Sequence, residues 1–240
     1  MKRLIVLSVC LLLITFPLIA DDDPLNLGEI TNLIKSEAEK KITPVVEMFG
    51  NGVNTGIYAP LSGKIVAVGV QCNYVPVKKE GLLADVTVSG VPLLFVYGGI
   101  RVPGIGINLF ARGGALPVWG KTIKYYGIGG GWEPDLIPLL NTKLIISYHA
   151  VKDFPLLSAS SIGGNIIAAF TKIPFVKPFA TLGFNRTTID TEVSAAGETA
   201  KFSVSSSEFQ MTIGAKLFMF TLEFGIVPAN TISVSAGLSF

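Results

Sequence analysis

Apolar residues return at every second position through most of this chain. In the closing stretch TISVSAGLSF, Ile232, Val234, Ala236, Leu238 and Phe240 alternate with Thr231, Ser233, Ser235, Gly237 and Ser239. Strict period two marks a strand with two unlike faces. Val66, Val68, Val70, Cys72 and Tyr74 make the same pattern against Gly69, Gln71 and Asn73. Read this way, the chain from Lys64 on divides into ten strands. The first runs from Lys64 to Tyr74, and the rest fall at roughly 82–97, 104–113, 121–132, 141–151, 158–171, 175–190, 199–215, 219–227 and 231–240. In the eighth, the apolar phase shifts from Phe202 and Val204 to Phe209, Met211 and Ile213, which predicts a bulge near Ser206.

Residues 21–50 follow another period. Leu27, Ile30, Ile34, Ala38, Ile42, Val45 and Phe49 recur at spacings of three and four, one face of an amphipathic helix. Pro44 after Thr43 predicts a break and a second short helix, which GNGVNTG then ends. This segment holds seven acids and three bases, whereas residues 51–240 hold ten acids and fourteen bases. Opposite net charges favour docking of the helix within the strands or across one mouth of their assembly.

An alternating strand at a chain end is an open edge unless another strand covers it. Pairing the tenth strand with the first removes that edge and closes an antiparallel barrel. Half of the residues are hydrophobic and 15% are charged. After residue 20 there is no unbroken apolar run long enough for a spanning helix. Apolar residues spread over alternate positions instead suit the wall of a transmembrane β-barrel. The expected fold is therefore all-β: an antiparallel transmembrane barrel of about ten strands with an N-terminal amphipathic helix. The even count puts both strand termini on one side, as in bacterial outer-membrane barrels. Tyr74, Trp119, Tyr148 and Phe154 then belong to one aromatic girdle, and Tyr97, Trp132, Phe175 and Phe240 to the other. A soluble lipid-binding barrel, with its large alternating residues inside, is the alternative.

The first 20 residues, MKRLIVLSVCLLLITFPLIA, read as a secretory signal peptide: Lys2 and Arg3, an apolar run broken by Pro17, and Ala20 before DDD. The division that follows is signal 1–20, helical segment 21–50 and barrel 51–240. Without the signal the chain has 17 basic and 17 acidic residues, so its net charge offers nothing to nucleic acid. Only Cys72 remains, which excludes a disulfide within one chain. The expected location is the bacterial outer membrane, reached by Sec-type export.

Catalytic chemistry is sparse. The single histidine, His149, excludes sites with several histidine ligands, and no metal or other cofactor is expected. Ser147 and Asp153 lie near His149 in sequence, but no third group to orient its ring is identifiable. The run GIGGGW at 127–132 lacks the strand–turn–helix setting of a nucleotide site; it reads as a strand that leaves room for something bulky. The stronger constellation is the inward face. Gln71, Asn73, Asn108, Arg112, Lys124, His149, Asn165, Asn185, Gln210 and Glu223 are phased as lumen-lining. They are scattered, mostly uncharged and mixed with small residues, which suits water, a plug or a small polar solute. Ten strands about 4.8 Å apart and tilted by about 40° enclose a backbone radius of about 10 Å. A helix, about 10–12 Å across with side chains, fits only beside small wall residues.

Two resemblances add to this. An alternating last strand ending in an aromatic resembles outer-membrane barrels generally; the resemblance implies that Phe240 belongs to an insertion signal read by the barrel assembly machinery. ITPVVEMFGNGVNTGIYAP, RGGALP, YYGIGGGWEPDLIP and the closing Gly-x-x-Phe are similar to a domain-of-unknown-function family of small bacterial outer-membrane barrels. That resemblance implies a barrel and a location; the family has no established activity or catalytic residues to carry over. The expected function is non-enzymatic: a narrow or plugged channel for small solutes, with outer-membrane lipid as its surroundings. A sealed structural or surface-interaction barrel is the alternative, and an envelope hydrolase the third class.

Overall fold

The computed structural model describes residues 27–240 except 64, 85–88, 119–120, 135–139, 153–156, 196–197, 228–230 and 240. The signal peptide, Trp119, Asp153, Phe154 and Phe240 therefore lie outside the described residues. Ten antiparallel strands form a closed barrel: β1 (Val66–Pro76), β2 (Gly90–Val102), β3 (Ile107–Val118), β4 (Lys121–Trp132), β5 (Leu140–Lys152), β6 (Leu157–Phe170), β7 (Val176–Ala195), β8 (Glu198–Leu217), β9 (Phe220–Val227) and β10 (Ile232–Ser239). The last strand pairs with the first, from Ala67 opposite Ser239 to Tyr74 opposite Ile232, so no edge is left. One end of the barrel carries the connections 103–106, 133–139, 171–175 and 218–219, and also the start of β1 and the end of β10. We call this the turn end. The other, the loop end, carries 77–89, 119–120, 153–156, 196–197 and 228–231.

The pleat sends alternate side chains to opposite faces. Val68, Val70, Leu94, Val96, Leu109, Ile128, Ile146, Ile162, Leu182, Phe209 and Val234 are exposed on the outer face. Gln71, Asn73, Asn108, Ser147, Asn165, Asn185 and Thr212 are buried on the inner face. Apolar outside and polar inside inverts the soluble pattern and matches a wall between an apolar medium and a polar interior. Tyr74, Tyr148, Trp132 and Phe175 are exposed, whereas Tyr97 is buried and belongs to no outer girdle.

Among the described residues one α-helix, α1 (Leu27–Asn54), precedes the barrel, and its C-terminal half runs inside it. It crosses two expected breaks. Pro44 lies within the helix, and Thr43 Oγ1 donates to Glu39 O at 2.7 Å rather than capping a new start. GNGVN continues the helix instead of ending it, so the division at residue 50 falls inside an element. The glycines serve close approach: a Cβ on Gly50 would lie 2.3 Å from Thr187 Oγ1, and one on Gly52 2.6 Å from Leu93 Cδ1. The helix stops where Gly56 takes φ +74°, the left-handed conformation that suits glycine after a helix. A 3-10 turn, Ala59–Leu61, carries the chain to the turn end and into β1.

The predicted bulge near Ser206 is absent. β7 and β8 pair without a break from Val176 opposite Leu217 to Ala195 opposite Glu198. The register shift lies between β8 and β9, at Met211/Thr212. What changes along β8 is which face is apolar: Val204 is buried inside and Phe209 is exposed outside, in one unbroken phase.

Candidate functional site

The lumen is filled in three layers, set by which part of the N-terminal segment lies at each level. At the loop end the helix is apolar: Val46, with Ile42 and Val45, packs on Ile189, Val204 and Ala159. At the turn end Ile57, Tyr58 and Leu61 pack with Phe110, Ile145, Ile167, Ala169 and Phe179, the Tyr58 and Phe179 rings stacking at 4.1 Å. At Gly99 a Cβ would stand 2.0 Å from Pro60 O, so the wall approaches the 3-10 turn at a residue without a side chain.

The middle layer is polar and centres on Thr55. Its backbone carbonyl, freed by the helix end, accepts from Arg112 Nη1 at 2.9 Å, Asn73 Nδ2 at 2.9 Å and Gln71 Nε2 at 3.2 Å. Its hydroxyl donates to Asn51 O at 2.8 Å and accepts from Gln210 Nε2 at 2.8 Å. Asn54 Nδ2 donates to Ser161 Oγ at 2.8 Å, and Gly56 N–H to Glu223 Oε1 at 3.2 Å. Wall residues of β1, β3, β6, β8 and β9 thus bind one short stretch of backbone and amide groups. Donors aimed at a carbonyl with two lone pairs are how a buried helix end is satisfied.

Arg112 is the charged member. It crosses from β3 to Thr55, lies 4.8 Å from the Phe95 ring centroid, and directs Nε and Nη2 at His149 Nε2, at 3.1 and 3.0 Å. A ring nitrogen facing two guanidinium N–H groups accepts, so His149 is the neutral tautomer protonated at Nδ1. Its Nε2 is occupied, and Ser147 Oγ points to Asn54 Oδ1 at 3.4 Å rather than to the ring. The glycine run of β4 makes room beside this pair: a Cβ on Gly127 would lie 2.0 Å from His149 Cδ2.

The sequence-derived lumen residues fall as follows. Gln71, Asn73, Arg112, Gln210 and Glu223 hold the N-terminal segment, and His149 holds Arg112. Asn165 is buried beside Gly183, its partner across β6 and β7. Asn185 is buried and accepts from Thr187 Oγ1 at 3.3 Å. Asn108 sits nearer the turn end, donating to Gly106 O at 3.3 Å and to Glu133 Oε2 at 3.5 Å. Lys124 is a correction: it is exposed on the outer face with Tyr126, because the inward phase of β4 is carried by Tyr125, Gly127 and Gly129. A strand with so many glycines has no alternation from which to phase its lysine.

Sequence reasoning missed Asn51, Asn54 and Thr55, and the inward aromatics Phe95, Tyr97 and Tyr125. The signal for the first three is the density of amides and small residues in GNGVNTG, a composition that also suits a helix terminator.

The turn-end mouth carries an ionic group. Glu133 pairs with Lys143 and Arg101, each at 3.3 Å, and accepts from Asn141 Nδ2. Burial pushes its carboxyl up, but Lys143, Asn141 and Arg101 together hold it below the usual carboxylate range. Lys143 Nζ also donates to Leu61 O at 2.6 Å, and Lys216 Nζ to Ser62 Oγ at 2.7 Å, which fixes the segment where it leaves the lumen. At the loop-end mouth Lys78 pairs with Glu47 of the helix at 2.6 Å. Among the described residues no cluster of three or more His, Cys, Asp or Glu is placed to hold a metal ion.

The ten-stranded antiparallel barrel fits the outer-membrane type. No protein-family model, curated protein or solved structure matches the chain.

Proposed function

We propose that this protein is a bacterial outer-membrane barrel held shut by its own N-terminal segment, a sealed rather than a conducting barrel. The observation that carries the proposal is the convergence of Arg112, Asn73 and Gln71 on the Thr55 carbonyl, with Gln210 on the Thr55 hydroxyl. Five of the polar wall residues that would line a pore, Gln71, Asn73, Arg112, Gln210 and Glu223, direct hydrogen bonds at the N-terminal segment. The apolar outer face supports the membrane setting, since a closed barrel leaves no backbone group unpaired in hydrocarbon. The engagement of His149 by Arg112 supports a non-enzymatic role, and the resemblance to a family of small outer-membrane barrels agrees with the membrane setting.

A gated channel is the second reading, and one observation favours it. The middle contact is built from hydrogen bonds, which water can replace when the segment withdraws, whereas a wholly apolar contact would resist withdrawal. Planar-bilayer recording of the purified full chain separates the readings. A sealed barrel inserts and stays electrically silent; stable conductance steps under the same conditions would favour the channel. Extraction only by detergent, with a gel mobility that changes on heating, would establish the barrel in its membrane. A monodisperse protein soluble in plain buffer would end both readings.

A further inference from the structure

The direction of α1 has a topological consequence. Followed along the chain, the N-terminal segment meets the barrel from the loop end downward. Lys41 O lies 2.5 Å from where a Cβ on Gly81 would stand, in the β1–β2 connection. Glu47 pairs with Lys78 of the same connection, and Val46 packs on the loop-end halves of β7 and β8. Asn54 meets Ser161 at mid-barrel, and Leu61 and Ser62 meet Lys143 and Lys216 at the turn end. Only then does the chain enter β1, at the same end where β10 finishes. The helix preceding Lys41 amounts to about 20 Å at 1.5 Å per residue, and it continues toward the loop end. Ser36 and Lys40 on it are exposed.

We infer that the N-terminal part of the chain passes through its own barrel and is presented at the loop face, opposite to the turn-end face where β1 begins and β10 ends. The inference rests on the membrane reading above and adds to it a display role. With the turn end toward the periplasm, the helix ahead of Lys41 stands on the cell exterior beside Lys78 and Lys79. It forms an amphipathic projection whose Ser36 and Lys40 are exposed, available to partners outside the cell and withheld from the periplasm. Such a path also means that the segment is drawn into the lumen as the barrel closes around it, because a helix with its side chains is about as wide as the space enclosed.

Single cysteines in a Cys72→Ala background test this in intact cells, using a maleimide polymer too large to cross the outer membrane. The positions are Ser36→Cys on the helix, Lys79→Cys at the loop end and Lys172→Cys at the turn end; all three native residues are exposed. Lys40→Cys serves as a second helix position, and the heat-dependent gel shift reports folding of each variant. The expected result is labelling of Ser36→Cys and Lys79→Cys on intact cells, with loss of labelling at Lys172→Cys until the cells are opened. Folded Ser36→Cys and Lys40→Cys that behave like Lys172→Cys would overturn the inference and leave the membrane reading standing. Equal labelling of every position on intact and opened cells would remove the membrane reading, and the inference with it.

Discussion

The β7–β8 hairpin contains two regions built on opposite rules. Toward the turn end its outer face is apolar, with Leu182, Phe184, Phe209 and Ile213 exposed, while Asn185, Gln210 and Thr212 are buried inside. Toward the loop end Arg186, Asp190, Ser203, Ser205 and Ser207 are exposed outside, and Ile189 and Val204 are buried inside against Val46. The backbone does not change between them, since the pairing is continuous. What changes is which face is apolar. In the lower region the outer face is apolar and a polar stretch of the N-terminal segment lies inside; in the upper region the outer face is polar and an apolar helix face lies inside. On the proposed membrane setting, the first outer face meets hydrocarbon and the second meets water. Period two reports a pleat with two environments; it does not say which is the core.

The largest predicted effect breaks the comparison at its outer face. Ile146→Arg, at the middle of the apolar band, should cost roughly 2–4 kcal/mol of folding stability in lipid if it sits near the bilayer midplane. Ser205→Arg, also pointing outward but in the upper region, should stay within about 0.5 kcal/mol. Reversible denaturation of both variants in liposomes measures this. Equal costs would mean that the two regions share one outer medium.

Next is the inner face of the upper region. Val46→Ala removes two methyl groups from a fully buried site and should cost roughly 2 kcal/mol. The loss should appear in helix docking before barrel unfolding, read as faster proteolysis of the N-terminal segment in an otherwise folded barrel.

Glu133 tests the lower mouth through pH. A carboxyl held below its ordinary range contributes stability that is present above the unfolded value, about 4.3, and is lost as pH falls through the folded value. Stability should therefore decline on acidification below about pH 4, and Glu133→Gln should flatten that decline while lowering stability at neutral pH. An unchanged acid limb in the variant would remove Glu133 from the account.

The smallest effect is at the upper mouth. The Glu47 carboxylate accepts a hydrogen bond from Lys78 and holds its ammonium above the usual lysine range, so the contribution persists below that range and fades at more alkaline pH. The pair is partly exposed, so Lys78→Met should cost only about 0.2–1 kcal/mol and less in high salt.

The sequence was most legible where wall and surroundings are simple. β6 and β10 alternate cleanly because the outer face is apolar and the inner face carries small or polar groups, and their ends fall within a residue or two of expectation. β2 is expected at 82–97 but runs from Gly90 to Val102, because Leu93, Phe95 and Tyr97 point inward onto the N-terminal segment and its neighbours. With both faces apolar, the alternation disappears. The same cause turned the change of face along β8 into an apparent bulge. The lumen residues were found largely by their polarity, but what they bind was not, because the principal acceptor is a backbone carbonyl. No side-chain pattern marks Thr55 O, and a helix end rich in Gly and Asn looks like a terminator whether or not a wall closes around it.

The most direct test of the central claim asks whether the N-terminal segment occupies the lumen in the membrane. Asn54 and Ser161 are in side-chain contact at 2.8 Å, one on the segment and the other on the wall. Asn54→Cys and Ser161→Cys, combined with Cys72→Ala, should be joined in native membranes by a short thiol crosslinker. The joined protein should keep the heat-dependent mobility of the folded barrel. Folded barrel that carries both cysteines and yields no crosslink would contradict the account.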